Sequence, residues 1–372
     1  MNSRERLLKT LKKEKPDRVP VSLYEFDGFY DSWIRDYPGY AEILEYAEDK
    51  TDKMYFWYPE QKSPALYYGE IDSSDIRSET REEKGSVHER TVVRTPKGEL
   101  SSCVRYDEGV HTGWQIEHLC KNTEDAEKLL SIPYVPYEPD VSSFAERDKE
   151  LGEKGILMGD IPDALCMTVE LFGFNDFLMI YMDSPDIIFR LLDFFQERVY
   201  TYLNYLLENG AVTVYRIVGP EYATPPYMNP DAFDSLVTVF DTELVSLLHR
   251  YGGWARLHSH GKIKEVLPSF LEMGIDATDP VEPPPQGDIT LKEARKVCGN
   301  DVVLIGNIEE RLFEAEDKQD VEMAVKQAME EGPAENGVFI LCPSAMPLST
   351  PLDRRVKENI MHYIDCGLAY GA

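Results

Sequence analysis

The sequence predicts an α/β protein built as a (β/α)8 TIM barrel with an inserted β-hairpin region. Three observations favour this fold. Eight short apolar segments recur along the 372 residues, helical stretches with an apolar face separate most of them, and each apolar segment is nearly uninterrupted. Strands that are apolar on both faces are typical of a parallel sheet covered by helices. A doubly wound open sheet is the structural alternative, and the lack of a GxGxxG sequence after the first strand disfavours only its dinucleotide-binding form.

The predicted elements alternate from the N-terminus onwards. The strands are expected at 18–23, 53–58, 155–159, 212–218, 254–258, 275–278, 301–305 and 337–341. Ser184-Pro185 begins a helix that ends at Gly210, and Asn229-Pro230 begins one that ends near Gly252. Proline suits the first helical turn and glycine suits the C-terminal end, so both boundaries are well marked. Further helices are expected at about 262–273, 290–297, 318–331 and 351–366.

One region breaks the alternation between the second and third predicted strands. Residues 88–106 contain two strand-like runs around Pro96-Lys97-Gly98-Glu99, which indicates a β-hairpin. The hairpin and its flanks, roughly 60–150, form the expected insertion, which would lie over one mouth of the barrel as a wall or lid. Residues 1–372 are therefore expected to form a single domain.

Composition narrows the range of partners. The chain carries 39 Lys and Arg against 68 Asp and Glu, a formal net charge of −29. Such a charge disfavours binding to nucleic acid and to anionic membrane surfaces. No stretch reaches the ~18 apolar residues of a membrane span, and the six cysteines form no CxxC, as expected for reduced thiols in the cytoplasm.

Chemistry in a parallel barrel is expected at the carboxyl ends of the strands. His258 and His260 follow the fifth strand at a spacing that directs both side chains to one face, and Cys342 ends the last strand. Two imidazoles and a thiolate suit Zn²⁺, and Glu221 or Glu282 could supply a carboxylate as a fourth ligand. The alternatives are two histidines that bond each other or a carboxylate, and a cysteine that is simply a small buried apolar residue.

Other polar residues stand at the remaining strand ends. Tyr24 and Glu25 follow the first strand, and Asn307 lies at the end of the seventh. Asp160 and Asp163 follow the third strand, where either could act only as a cap of the next helix. Glu221 could equally be a solvated loop residue. No further ligand-type residues are expected around the other histidines, which are His88, His111, His118, His249 and His362.

Four segments together resemble the uroporphyrinogen decarboxylase superfamily. They are residues 4–21, His258-Ser-His-Gly261, Gly274-Ile-Asp276 and Gly306-Asn-Ile308. The resemblance covers nearly the whole chain and implies a (β/α)8 barrel. True decarboxylases of this superfamily carry an Arg-Gln-Ala-Gly-Arg segment soon after the first strand, which holds the substrate carboxylates. Residues 25–35 lack that arginine pair.

The other branch of the superfamily consists of cobalamin-dependent methyltransferases, whose zinc is held by His-x-Cys and by a cysteine of the last strand. The resemblance implies His258 and Cys342 as ligands, with His260 at the usual cysteine position and Glu221 as the candidate fourth ligand or acid. Asp160 and Asn307 are expected to position the substrate. Loss of one thiolate would make the zinc a stronger Lewis acid, which suits an oxygen or nitrogen leaving group.

The expected function is therefore zinc-dependent transfer of a methyl group between a small methyl ether or methylamine and the cobalt of a corrinoid. The chain has no Asp-x-His-x-x-Gly segment, so the corrinoid is expected on a partner protein. The alternatives are a metal-independent decarboxylase and a non-catalytic barrel that binds a corrinoid. The methyl donor and acceptor, the direction of transfer and assembly into a homo-oligomer stay open.

Overall fold

The computed structural model describes residues 1–24, 26, 33–334 and 338–371. Three segments to which the sequence analysis refers lie wholly or mostly outside this part of the chain. They are Glu25 after the first predicted strand, most of the 25–35 segment compared with the decarboxylase arginines, and Gly337 at the start of the last predicted strand.

Thirteen α-helices occur in the described residues. They are α1 Ser3–Leu11, α2 Pro38–Ala47, α3 Thr123–Leu129, α4 Ser143–Leu151, α5 Ala164–Phe172, α6 Phe174–Asp183, α7 Pro185–Glu208, α8 Pro230–Phe233, α9 Val239–Tyr251, α10 Leu267–Met273, α11 Leu291–Cys298, α12 Lys318–Glu331 and α13 Arg354–Tyr370. A π-helical turn, Asp234–Thr238, joins α8 to α9, so the helix predicted from Asn229-Pro230 is interrupted once.

Thirteen strands occur in the same part of the chain. They are β1 Lys53–Phe56, β2 Ala65–Leu66, β3 Gly69–Glu70, β4 Ile76–Glu83, β5 Ser86–Thr95, β6 Gly98–Asp107, β7 Gly113–Glu117, β8 Gly155–Pro162, β9 Val214–Val218, β10 Trp254–His258, β11 Ala277–Asp279, β12 Val303–Ile308 and β13 Phe339–Pro343.

A curled parallel sheet of seven strands forms the centre of the fold. Its order is β1-β8-β9-β10-β11-β12-β13, and helices connect successive strands from β8 onwards. This arrangement is TIM-barrel-like, as the sequence predicts. The parallel register places His258 beside Val218 on one side and Asp279 on the other, and it places Asn307 beside Cys342. These predicted site residues therefore lie together at the carboxyl ends of the strands.

The first predicted strand, 18–23, is not a strand of this sheet. The segment makes a single parallel bridge, between Val21 and Leu341. Ser22 donates its backbone N–H to Leu341 (2.8 Å) and Leu341 donates to Pro20 (2.9 Å), while on the other side Asp52 donates to Val21 (2.7 Å). Proline has no N–H and cannot donate to a ladder, which is why the extended segment pairs so briefly.

The chain between β1 and β8 contains a separate antiparallel sheet. It has four strands in the order β4-β5-β6-β7, and β5 and β6 pair from Ser86 with Asp107 to Thr95 with Gly98. Val93 and Leu100 from these strands are buried in the main apolar core. A shorter pair, β2 and β3, precedes this sheet and becomes relevant to a cavity described below.

Successive residues of the parallel strands are buried on opposite faces of the sheet. Leu157, Ile217 and Leu257 belong to the large cluster between the sheet and its helices. Ile156 and Cys342 belong to a smaller cluster on the inner side. This inner cluster also includes Leu7 and Leu11, so α1 covers the end of the interior formed by the first residues of the strands.

No single helix in the described ranges is both long and apolar enough to cross a membrane. The pair α5 and α6, bent by 102° at Gly173, passes a test of length and composition when the two helices are taken together.

Candidate active site

His258 lies at the end of β10 and is held by an aspartate at the end of β11. The two residues are opposite each other in the sheet, and the His258 Nδ1 atom is 3.0 Å from Oδ2 of Asp279. Arg256 donates to both oxygens of Asp279, at 2.6 and 2.7 Å. Burial alone would raise the pKa of Asp279, but the Arg256 charge and then the His258 ring outweigh burial and hold it far below its usual range.

This ionisation state fixes the proton on His258. An ionised carboxylate only accepts hydrogen bonds, so the Nδ1 atom of His258 must carry the proton in the bond to Asp279. In this tautomer the lone pair of the ring is on Nε2, a nitrogen that can bind a metal ion or a proton. The Tyr24 hydroxyl lies 3.4 Å from that Nε2 atom.

A second ion pair continues this network on the inner face of the sheet. Arg216, beside Arg256 in the register, donates to the Tyr24 hydroxyl at 2.7 Å and to Oδ1 of Asp160, also at 2.7 Å. The two inner arginines are therefore each paired with an aspartate of a neighbouring strand, Asp160 of β8 and Asp279 of β11. Their charges are compensated within the protein.

His260 stands two residues beyond His258 and has a carboxylate partner of its own. Its Nδ1 atom is 3.2 Å from Oε1 of Glu282, whose other oxygen accepts the Gly261 N–H at 2.7 Å. Burial is the largest single influence on the His260 ring and disfavours its charged form, but the hydrogen bond to Glu282 and the charges of Glu282, Glu221 and Asp279 together outweigh burial and raise the pKa of His260. Burial raises the pKa of Glu282, but the hydrogen bonds from His260 and the Gly261 N–H, together with the neighbouring histidines, lower it by more in total, so the net shift is downward. The two histidine rings are 4.7 Å apart at 89°.

Cys342 is buried on the inner face of β13. Together with Tyr24, Arg216 and Arg256 it lines an internal cavity of about 10 Å³. Among the described residues, His258, His260 and Cys342 are not found as a group whose ligand atoms all lie within 4.8 Å of one another. The structure thus brings the two histidines side by side and places the thiol in the neighbouring inner layer.

The group of ligand-type side chains within 4.8 Å lies outside the sheet, between α12 and α13. It consists of Glu322, His362 and Cys366. The Nε2 atom of His362 is 3.4 Å from the Cys366 sulfur and 3.7 Å from Oε2 of Glu322. The expectation that His362 has no such neighbours is wrong. Its spacing of four residues from Cys366 was a readable signal on a helix, whereas Glu322 arrives through the packing of α12.

Glu221 and Asp163 lie in the loops that follow β9 and β8. The Glu221 Oε2 atom accepts the Gly219 N–H at 3.3 Å, and its charge contributes to the raised pKa of His260. Asp163 accepts a hydrogen bond from the Cys166 N–H, so it acts as the cap of α5. Burial, together with the buried Asp241 carboxyl, raises the pKa of Asp163 well above its usual value.

Asp160 and Asn307, both predicted to position a substrate, line different cavities. Asp160 lines a cavity of about 600 Å³ that lies against β8, α5 and α7. Asn307 lines one of about 260 Å³ together with Glu309 and Arg311. The structure therefore separates these two predicted residues, and Asp160 is the one connected to His258, through Arg216 and Tyr24.

Fold and site together define a TIM-barrel-like protein with two carboxylate-supported histidines at the carboxyl ends of its strands. The family model of uroporphyrinogen decarboxylase (URO-D) matches residues 112–358, and the chain belongs to this family. The superfamily predicted from the sequence is thereby confirmed. None of the curated proteins matches the chain.

Among solved structures, a methyltransferase from Methanosarcina mazei is similar to the chain. The similarity covers 100% of this chain and 99% of that one, with a TM-score of 0.62 and 15% sequence identity. At this identity the similarity shows the shared fold, which extends over the full described architecture.

Proposed function

We propose that the chain is a zinc-dependent methyltransferase. It would move a methyl group between a small methyl ether or methylamine and the cobalt of a corrinoid (cobalamin) carried by a partner protein, in the cytoplasm. URO-D family membership and the fold shared with a methyltransferase support this proposal. The observation that carries it is the pair of imidazoles, each with its Nδ1 atom against a carboxylate.

Metal-binding histidines almost always donate their second ring N–H to a carboxylate, a backbone carbonyl or water. His258 and His260 meet that condition through Asp279 and Glu282, which leaves both Nε2 atoms as ligand atoms. Cys342 and Glu221 are the proposed third and fourth ligands. Zinc bound there would polarise the oxygen or nitrogen atom of the substrate to which the methyl group is bonded, and so make that atom a better leaving group.

The protein's own groups prepare this site. Arg256 keeps Asp279 ionised, and Asp279 in turn keeps the proton of His258 on Nδ1. Arg216 donates to the hydroxyl oxygen of Tyr24, which lies 3.4 Å from His258 Nε2, so Arg216 fixes the position of this hydroxyl beside the proposed metal site. Asp160 orients Arg216 and lines the neighbouring cavity of about 600 Å³, where a substrate has room.

Zinc content and methyl transfer test this function together. The purified protein, after dialysis, should keep one zinc that His258→Ala loses and His362→Ala keeps. His362→Ala is the matched control because its ring belongs to the Glu322–Cys366 group outside the sheet. Cob(I)alamin with a panel of methylated compounds should change its cobalt absorption with the wild type but not with His258→Ala. Zinc loss only in His362→Ala, or transfer unaffected by His258→Ala, would contradict the proposal.

The family description also raises decarboxylation of a tetrapyrrole as a second candidate. That reaction needs cationic side chains for the substrate carboxylates. Arg216 and Arg256 face the interior but are already paired with Asp160 and Asp279. We therefore expect no carbon dioxide release from uroporphyrinogen. Binding of a corrinoid protein with neither reaction would instead favour the non-catalytic barrel.

A further inference from the structure

The cavity beside Asp160 has many aromatic rings in its lining. It has a volume of about 600 Å³ and lies where β1 and β8 end, beneath the chain between them. Seven aromatic residues line it, namely Trp57, Tyr58, Tyr67, Tyr68, Tyr137, Tyr202 and Tyr215. Tyr202 stacks on Tyr68 with ring centroids 4.1 Å apart, and the Tyr137 ring is nearly parallel to it at 6.5 Å. Its size is that of a small-molecule site.

Two of these tyrosines are held in a backbone conformation that tyrosine rarely adopts. Tyr67 and Tyr68 are the two turn residues between β2 and β3, and their φ angles are 49° and 59°. Such a two-residue hairpin turn normally takes asparagine or glycine, because side chains crowd the backbone at positive φ. Strain of this kind is retained mostly at ligand sites, where it is part of the function. Here it places two adjacent aromatic residues in the cavity lining.

The charged residues that line this cavity are all acidic. Asp160 and Glu170 are acidic, and the described lining residues include neither lysine nor arginine. Oδ1 of Asp160 binds Arg216, and Oε1 of Glu170 accepts the Tyr222 hydroxyl. An anionic ligand would therefore meet repulsion from Glu170, while a cationic one would meet the Glu170 carboxylate and the Asp160 carboxylate, whose charge Arg216 already compensates in part.

The rings themselves stay uncharged. Burial raises the pKa of Tyr68 and of Tyr202 well above the usual tyrosine value, so both remain phenols at neutral pH. A neutral aromatic ring has a negative face, which attracts a cation within about 6 Å and attracts it more strongly when water is excluded. Aromatic sites of this type recognise ammonium groups whose methyl substituents prevent hydrogen bonding.

We propose that this cavity binds a methylated ammonium compound, with the cationic nitrogen among the tyrosine rings and near Asp160 and Glu170. The proposal that such a compound binds here is argued from the cavity alone and does not depend on the proposed function. Its further assignment as the site of the methyl donor rests on the proposed function, and it selects methylamines over neutral methyl ethers. The nitrogen of a methylamine regains a lone pair for zinc when it loses its proton, whereas a quaternary nitrogen has none, so choline serves only as a probe of binding. The hydrogen-bonded path from Asp160 through Arg216 and Tyr24 joins this cavity to His258.

Calorimetric binding to the full chain tests the cavity without any turnover. Choline is the probe, and 3,3-dimethylbutan-1-ol is its neutral analogue of the same shape. We expect choline to bind at least tenfold more tightly. Tyr202→Leu should weaken choline binding about tenfold, as loss of one desolvated cation–π contact implies. Tyr202→Phe keeps the ring and should bind like the wild type, while Glu170→Gln should weaken choline but not the analogue.

Two control variants outside the cavity test whether the effects are specific to its lining. Tyr106→Leu, at an exposed tyrosine of β6, should leave choline binding unchanged, and so should His362→Ala, whose ring lies outside the sheet. Equal binding of the neutral analogue, or no choline binding, would overturn the cavity proposal. Methyl transfer from an ether without choline binding would refute the cavity and keep the function. If choline binds with the expected variant effects but no compound donates a methyl group, the cavity proposal stands and the proposed function is refuted.

Discussion

At the scale of single residues, the site depends on carboxylates that hold rings and cations in place. Asp279 serves both His258 and Arg256, and all three side chains are buried. Spacing in the sequence was enough to predict that His258 and His260 act together. Their partners could not be predicted in the same way, because Asp279 meets His258 through strand register and Glu282 meets His260 through the course of a loop. From the sequence, Glu282 is a possible metal ligand. In the structure its carboxylate lies against the Nδ1 atom of His260 and orients that ring.

Asp279→Asn should damage both stability and metal binding. The variant leaves the buried Arg256 guanidinium without its anionic partner, which we expect to cost about 3–5 kcal/mol in the free energy of unfolding. It also removes the carboxylate that orients His258, which should weaken zinc binding about 10–100-fold. Urea unfolding and a zinc competition titration measure the two effects. Asp365→Asn is the control, because its ion pair with Lys50 is exposed and worth at most about 1 kcal/mol; an equal loss there would contradict the assignment.

At the scale of elements, long apolar runs made the strands predictable. Strand β10 begins and ends where predicted, and β8, β9 and β11 to β13 lie within a few residues of their predicted positions. The segment 18–23 was mistaken for a strand because its composition resembles the others, while its prolines limit the backbone hydrogen bonds that it can donate. The antiparallel sheet β4–β7 has two strands more than the predicted hairpin, since β4 is too polar and β7, with five residues, too short to stand out in the sequence.

Gly219, between β9 and the following turn, should tolerate no side chain. Its φ is 134°, and an added Cβ would lie 2.1 Å from Oδ1 of the buried Asp163. Gly219→Ala should therefore destabilise the protein by about 2–4 kcal/mol, through backbone strain and overpacking together. Gly210→Ala isolates the backbone cost, because Gly210 has a φ of 91° with nothing near an added Cβ. Thermal unfolding should rank the two variants in that order, and equal losses would show that the contact with Asp163 is unimportant.

The two buried carboxyls Asp163 and Asp241 should leave a signature in the pH dependence of stability. Asp163 and Asp241 are fully buried, and burial raises the pKa of Asp241. Because the folded pKa exceeds the unfolded value of about 4, the unfolding free energy should fall as the pH rises above that value. Asp241→Asn, which stays neutral, should flatten this dependence and stabilise the protein at alkaline pH. Urea unfolding from pH 4 to 9 checks this, and an unchanged slope in the variant would refute it.

At the scale of the whole molecule, the charge of −29 limits how a partner can approach. Any corrinoid protein must dock through a locally neutral or basic region, or present basic residues itself. The sequence predicted the acidity but not its distribution, since that depends on which surfaces the fold exposes.

Self-repulsion should make stability depend on salt. Raising the ionic strength from about 0.01 M to 0.15 M shortens the screening length from about 30 Å to about 8 Å, so the repulsion among exposed carboxylates weakens. The melting temperature should therefore rise over this range, equally in sodium and potassium chloride. A flat or falling melting temperature would mean that exposed ion pairs, which salt weakens, outweigh the net charge.

The bridge between Val21 and Leu341 has a consequence for the order of folding during synthesis. These residues are 341 − 21 = 320 positions apart, so the ribosome releases the N-terminal segment long before its partner exists. Contacts of such long sequence separation form late, because a large loop must close first. The segment 20–22 therefore cannot form this bridge until β13 has been synthesised, and its partner surface stays exposed to the growing chain until then.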